Sequence, residues 1–252
     1  MAQSLLGKIA IGSGSSSGIG AAIALELARR GAHVVVNYPF PSLCAEGEAV
    51  VAELPTQGIA VCADLSTIRG PSILIDAAVK EFGRIDILVN NAALAIAAPF
   101  EKQTMNHWDA MVNLNGRGVF LLTQHALPHL SEGSRIVNIC SAASRGAPPH
   151  QTVYAGTKGM IDSFTQVWAK ELPRKYKCTV NSIAPGPIAT PAIMNAPPEE
   201  LELIEPVINM TPVAPRMGEP EDIAYGVAIL CEGQAKWMNG VHLHINGGLL
   251  VC

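Results

Sequence analysis

A short apolar run, Lys8-Ile9-Ala10-Ile11, feeds directly into Gly12-Ser13-Gly14-Ser15-Ser16-Ser17-Gly18-Ile19-Gly20. An Ala/Leu-rich stretch follows from about Ile19 to Arg30, Gly31 stops it, and His33-Val34-Val35-Val36-Asn37 comes next. The two apolar runs read as buried strands and the Ala/Leu stretch as a helix. Strand, glycine-rich turn, helix, strand is the opening βαβ unit of a dinucleotide-binding fold. Glycines let the backbone turn tightly and approach a pyrophosphate, while the helix N-terminus offers that anion free N–H groups and a favourable dipole. The spacing is Gly14-x-x-x-Gly18-x-Gly20 and departs from GxGxxG, because Ser17 stands where the third glycine should be. Its place between a strand and a helix marks the stretch as a nucleotide-binding turn.

The alternation continues along the chain. Helices are expected over Cys44 to Leu54, Pro71 to Phe82, Asn106 to Leu130, a stretch through Tyr154 and Lys158 to about Leu172, and Glu219 to Leu230. Strands are expected at Gly58 to Cys62, Ile85 to Val89, Arg135 to Ile139, Thr179 to Ile183 and Val241 to Ile245, with a long irregular segment after Pro185. Seven strands alternating with helices, with no linker and no short repeat in 252 residues, predict a single Rossmann-type, doubly wound α/β domain. Its sheet should be mostly parallel, with helices on both faces. Ligands of such sheets bind beyond the C-terminal ends of the strands. Ser13, Gly14, Asp64, Asn90, Ser141 and Pro185 all fall at or just past predicted strand ends, so the polar and glycine positions gather on one rim.

Composition narrows the partners. The net charge of −4 comes without a basic cluster, which argues against nucleic acid and anionic membranes. No run of eighteen apolar residues occurs, so no membrane span is expected. The start, Met1-Ala2-Gln3-Ser4-Leu5-Leu6, lacks the layout of a secretion signal. Cysteines 44, 62, 140, 178, 231 and 252 form no CxxC pair and mostly lie in apolar runs. They read as buried thiols of a cytoplasmic protein, with no metal expected. Cys252 ends the chain and leaves no prenylation box. Asn209-Met210-Thr211 is a coincidental glycosylation match.

The chemistry centres on Tyr154-Ala155-Gly156-Thr157-Lys158. Four residues apart on a helix, Tyr154 and Lys158 share a face. An ammonium one turn away favours the phenolate, so the pair can pass a proton near neutrality. Taken with the rest, the chain resembles the short-chain dehydrogenase/reductase family, in its branch of about 250 residues. The resemblance covers nearly the whole length. It rests on Ser13-Gly14-(x)3-Gly18-Ile19-Gly20, Asp64, Asn90-Asn91-Ala92-Ala93, Asn115, Ser141, Tyr154-(x)3-Lys158, Pro185-Gly186-(x)3-Thr190, the run Arg216 to Asp222, and Asn246-Gly247-Gly248.

The resemblance implies a catalytic set of Asn115, Ser141, Tyr154 and Lys158. Tyr154 would be the general acid in ketone reduction and Ser141 would hold the substrate oxygen. Lys158 would hold the nicotinamide ribose and lower the Tyr154 pKa, and Asn115 would hold a water in a proton relay to Lys158. Asn113, two residues earlier, is the alternative to Asn115, but the Gly that follows Asn115 matches the family. The cofactor would lie along Ser13, Gly14, Ser16, Ser17, Gly18, Ile19 and Gly20. It would continue past Asn37, Tyr38, Asp64, Leu65, Asn91, Ala92 and Ala93, then Tyr154, Lys158, Pro185, Gly186, Ile188 and Thr190. Three departures touch loop geometry and remove no catalytic group: Ser13 replaces a usual Thr, Gly12 a usual β-branched residue, and Ala93 a usual Gly.

An acid at the end of the second strand would accept hydrogen bonds from the adenosine ribose and repel a 2′-phosphate. This strand ends Val36-Asn37-Tyr38-Pro39 and the nearest acid is Glu46, so NADPH/NADP+ is expected over NADH. Asn37, Tyr38 and Ser42 are the expected donors to the phosphate, with Arg30 as a source of charge. The segment Pro185 to Pro215 is rich in Pro, Ile, Met and Ala, and in the family it forms a lid, here at about 186–215. Its composition suggests an apolar or aromatic, polyketide-like ketone of secondary metabolism. Val34-Val35-Val36-Asn37-Tyr38 resembles fungal naphthol reductases. Pocket candidates are Ser141, Arg145, His150 and Met194, with a surface-loop role as the alternative for His150. The family usually forms homotetramers through two long helices and the last strand. The stretch Trp108 to Leu130 and the tail Leu249-Leu250-Val251-Cys252 fit that assembly, or a homodimer. Two rival functions remain at this point: a redox-neutral epimerase, dehydratase-like or cyclising enzyme using the same site, and a non-catalytic nucleotide-binding protein.

Overall fold

Successive residues of the central strands send their side chains to opposite faces of the sheet, and both faces are apolar. In β1 (Ile9–Gly12), Ala10 faces one core and Ile11 the other; in β2 (His33–Tyr38), Val34 and Val36 share the first core and Val35 the second. A strand covered on both sides has to read as a continuous apolar run, as these do. The computed structural model describes residues 3–251; Met1, Ala2 and Cys252, on which the leader and tail expectations partly fell, lie outside the described residues.

The remaining strands are β3 (Gly58–Cys62), β4 (Ile85–Asn90), β5 (Leu130–Ile139), β6 (Cys178–Pro185) and β7 (His242–Ile245). All pairs are parallel and the order is β3-β2-β1-β4-β5-β6-β7, so the sheet is wholly parallel. Helices α1 (Gly18–Arg29), α2 (Cys44–Glu53) and α11 (Pro220–Cys231) cover one face, with Ile23, Leu27, Ile223 and Val227 in its core. Helices α3 (Gly70–Phe82), α5 (Val119–Ala126) and α7 (Thr152–Glu171) cover the other, with Leu74, Ile75, Leu122 and Ile161. Each such aliphatic side chain, fully buried, contributes roughly 1.5–3 kcal/mol. The order in which strands are added reverses between β1 and β4, and that switch point opens the crevice in which ligands of such sheets lie.

Two stretches differ from the periodicity. The helix expected over 106–130 is α4 (Met105–Met111), a π-helical turn (Val112–Gly118), α5 and a short 3-10 turn. The wide turn rotates Asn115 inward, where it is 1% exposed. The segment after Pro185 is not irregular. It forms α9 (Pro191–Met194), capped by the Thr190 hydroxyl, and α10 (Pro198–Asn209). Pro191 and Pro198 occupy the first positions of these helices, where no N–H is missed, so they start helices instead of breaking them. Two further short helices, α6 (Ala143–Gly146) and α8 (Pro173–Tyr176), flank α7.

Candidate active site

The glycine turn is bolted to the two neighbouring strand ends. Ser13 Oγ donates to Val89 O at 3.3 Å and accepts from the backbone N–H groups of Asn91 (2.8 Å) and Ala92 (3.0 Å). Asn91 Nδ2 donates to Ser13 O and Gly14 O, both at 3.0 Å. The Ser13 hydroxyl therefore ties the turn to the end of β4. Ser15, absent from the expected contacts, is buried and donates to Gly12 O at 2.7 Å while accepting from Asn37 N at 2.9 Å. Gly14 has φ +58°, and a Cβ there would stand 2.9 Å from Ala92 Cα. Ser17 caps α1 without a side-chain hydrogen bond, and no acid lies in the first turn. The first N–H groups of α1 therefore face the crevice with neither a capping oxygen nor a repelling carboxylate. That cradle fits a pyrophosphate. Ser16 is half-buried and Ser17 exposed beside it, with Ile19 half-buried at the start of α1 and Gly20 buried behind.

The second-strand end departs from expectation. Asn37 is 1% exposed; its Oδ1 accepts from Gly14 N at 2.9 Å and its Nδ2 donates to Ala63 O at 3.0 Å, with Val61 O and Tyr38 O at 3.3 Å. Its amide is committed inside the fold, so Asn37 braces the turn and is no donor to a phosphate. Arg30 is likewise corrected. It is paired with Glu26 and Glu232, because α1 runs against the strands and ends at the opposite edge of the sheet. Tyr38 stays at the rim; its hydroxyl meets Cys44 Sγ at 3.4 Å, and that contact, then burial, pushes the phenol up to about 12. Asp64 Oδ1 accepts from Ser66 N and Oγ, ordering the loop after β3, and Leu65 is buried beneath it.

The expected catalytic side chains converge past β5. Tyr154 and Lys158 lie on α7, and the Ser141 side chain stands beside the Tyr154 hydroxyl. Burial raises the Tyr154 pKa above its ordinary value, and the Ser141 side chain pulls the other way. Lys158 Nζ donates to Ile139 O at 2.8 Å, and burial lowers its pKa to about 8. In this geometry the ammonium is turned to that carbonyl, and burial is the largest influence on the Tyr154 phenol. Asn115 forms a closed pair with Leu94, accepting from its N–H and donating to its C=O at 2.8 Å each, and also donates to Thr157 Oγ1 at 3.1 Å. Thr157, inside the Tyr-to-Lys stretch, links Asn115 onward by donating to Tyr154 O at 2.7 Å.

The outer contacts are mixed. Ala93 is exposed on the loop after β4. Pro185 O accepts from Ala142 N at 2.8 Å, Gly186 packs against Asn246, and Thr190 packs its methyl on Gly18. Ile188 is 3% exposed and belongs to the core. Met194 stands exposed at the end of α9. The His150 carbonyl accepts from Ala98 N and Gln103 Nε2, tying the loop after β4 to the one before α7. Arg145 is corrected as a substrate contact: its Nε and Nη2 bond Asp162 Oδ2 at 3.0 and 2.8 Å. Asp162 was missed, although its spacing from Lys158 repeats that of Lys158 from Tyr154. Among the described residues no cluster of metal-ligating side chains occurs, and no helix is long and apolar enough to cross a membrane.

Comparison with known proteins follows the same geometry. Residues 12–250 match the family model described as "Enoyl-(Acyl carrier protein) reductase". The chain is 42% identical over 251 residues to the short-chain dehydrogenase/reductase FrzI of Cladobotryum sp, covering 98% of this chain and 97% of the relative. It is 38% identical over 248 residues to the hydroxynaphthalene reductase arp2 of Aspergillus fumigatus, covering 94% and 90%. A short-chain dehydrogenase from Burkholderia cenocepacia in complex with NADP superposes with a TM-score of 0.89 at 32% identity, covering 97% of this chain and 98% of the other. A blue fluorescent protein from a metagenomic library in complex with NADPH superposes with a TM-score of 0.90 at 31% identity, covering 98% and 100%. With a nucleotide cradle at the switch point and the Ser141–Tyr154 pair beside it, the chain belongs to the short-chain dehydrogenase/reductase family of oxidoreductases.

Proposed function

We propose that the chain reduces an apolar or aromatic ketone to a secondary alcohol with NADPH. The observation that carries this reading is the placement of Ser141 beside the Tyr154 hydroxyl, next to Lys158, on the rim shared with the glycine turn. When bound, the cofactor would supply the hydride. The N-terminus of α1 and the turn from Ser13 to Gly20 would hold its pyrophosphate, and the Asp64–Leu65 loop its adenine side. Lys158 would turn from Ile139 O to the ribose hydroxyls.

Ser141 Oγ donates to the carbonyl oxygen and fixes it beside Tyr154. Tyr154, kept as a neutral phenol by burial, gives its proton to that oxygen as negative charge develops there. Help of this kind is typically worth ~10²–10⁴-fold. Asn115 has its amide occupied by Leu94 and Thr157, so a relay water would rest on its remaining acceptor capacity or on its backbone carbonyl.

The NADPH preference is supported by the two NADP(H)-bound neighbours and by the lack of a carboxylate at Asn37 and Tyr38. Hydrogen-bond donors at Tyr38 and Ser42 would take the 2′-phosphate. The substrate class is supported by the exposed apolar side chains Leu94, after β4, and Met194, on α9, and by the hydroxynaphthalene reductase relatives. A homotetramer or homodimer is supported by Trp108, Phe120 and Val167, exposed on α4, α5 and α7, and by β7 as the outer strand of the sheet. Five unpaired cysteines among the described residues support a cytoplasmic setting.

The test is consumption of reduced nicotinamide against a panel of ketones. Turnover of bicyclic aromatic ketones with a higher kcat/KM for NADPH than for NADH is expected. Activity confined to sugars, or proton exchange with no net oxidation of NADPH, would retire the reading. Light scattering at micromolar concentration tests the assembly; a monomer would count against it.

A further inference from the structure

Asp162 stands on α7 one turn beyond Lys158 and two beyond Tyr154, so the three side chains follow one face of the helix. Its carboxylate joins three elements. Oδ2 accepts from Arg145 Nε at 3.0 Å and Nη2 at 2.8 Å, and Oδ1 lies 3.0 Å from His242 Nδ1 at the start of β7. His242 Nδ1 is also 2.9 Å from Ser182 Oγ on β6. Arg145 belongs to α6, the single turn that follows Ser141. That turn is wound on Ser141 itself: Ser141 Oγ accepts from Ala143 N, and Ser141 O accepts from the N–H and hydroxyl of Ser144.

Beyond Arg145 the chain leaves α6 through Ala147 at φ +47°, a left-handed conformation uncommon for a residue with a side chain. A helix of four residues has few backbone hydrogen bonds of its own with which to hold its place. The Arg145–Asp162 pair is a polar fastening of α6 to α7, and Asp162 is nearly buried, with a side-chain exposure of 13%.

We propose that Asp162 is a positioning residue of the active site. Through Arg145 it clamps the 142–146 turn onto α7 and so sets where Ser141 Oγ stands relative to the Tyr154 hydroxyl. The inference rests on the reading that Ser141 and Tyr154 grip one substrate oxygen. Proton donation needs heavy-atom separations of about 2.6–3.2 Å, and misplacement by about 1 Å can cost ~10²-fold.

The experiment compares Asp162→Asn and Arg145→Gln in the wild-type and Ser141→Ala backgrounds, with NADPH and α-tetralone, alongside crystal structures of both single variants. Arg145 is the more exposed partner, so its variant remains informative where Asp162→Asn folds poorly. In the wild-type background each substitution is expected to lower kcat roughly 10- to 100-fold with little change in the KM for NADPH. In the Ser141→Ala background the same substitution should cost less than about twofold, because its effect runs through Ser141. The crystal structures should show a longer Ser141 Oγ–Tyr154 hydroxyl distance. Equal losses in both backgrounds, or an unchanged separation, would overturn the positioning role. Should Ser141→Ala lose nothing, or α-tetralone not turn over, the underlying reading of the site fails and the measured separation alone judges Asp162.

Discussion

The Lys158 ammonium lies 5.8 Å from the centre of the Tyr154 ring while donating to the Ile139 carbonyl at 2.8 Å. The two residues are thus neighbours without a direct bond, and the phenol is governed by burial and by Ser141. A phenol held neutral suits the donor's role in reduction. Turning Lys158 from Ile139 O to a ribose would be the step that couples cofactor binding to proton transfer.

Replacing Tyr154 with Phe removes the proton donor and keeps the ring. We expect kcat to fall by ~10²–10⁴-fold. NADPH affinity, read by nicotinamide fluorescence, should stay near the wild-type value. A variant that keeps its turnover would show that another group donates the proton.

Lys158 has a pH signature. Its pKa is about 8 in the folded chain against an ordinary 10.5. Between those values the unfolded chain holds a proton that the folded chain does not, so stability from this group rises with pH across the window and is lost as pH falls toward 8. Urea unfolding of wild type and Lys158→Met at several pH values isolates the term as a difference. That difference should shift toward wild type from pH 8 to 10.5 by on the order of a few kcal/mol. A flat difference would mean that burial does not depress this lysine.

The glycine turn has no room at Gly20. A Cβ there would collide with the Gly14 carbonyl oxygen and stand 2.6 Å from Asn91 Nδ2, both fixed parts of the cradle. Gly20→Ala should lose roughly 1–3 kcal/mol and weaken NADPH binding. Gly156, on the exposed side of α7 with nothing within 4 Å of a Cβ, is the contrast. Gly156→Ala should gain roughly 0.5–1 kcal/mol, read by thermal unfolding.

Asn37→Asp places an acid at the position that would ordinarily favour NADH, yet here it should not create that preference. The new carboxylate would face the Ala63 and Val61 carbonyls with no hydrogens to offer. We expect a loss of roughly 1–3 kcal/mol in stability with the NADPH-to-NADH ratio of kcat/KM nearly unchanged. A clear swing to NADH would show that the side chain can leave its buried site.

Much of the site was legible because it follows strand ends. Ser13, Asp64, Asn91 and Ser141 all fall where an apolar run stops, and a doubly wound sheet carries every such stop to the same rim. What stayed hidden was side-chain direction. Asn37 and Arg145 carry suitable donors at suitable places in the chain, and each spends them on a partner far away in sequence: Gly14 and Ala63 for one, Asp162 for the other. The π-helical turn at Asn115 was equally hidden, since its residues keep ordinary helical periodicity.

The amino-acid sequence by itself determined the order of elements, the two-sided core and the tyrosine–lysine spacing. These depend on local periodicity and on burial demanded by apolar runs. Only the tertiary structure decided which polar groups remain for a ligand. That depends on which buried donors and acceptors have already satisfied one another, a balance struck between residues tens to hundreds of positions apart.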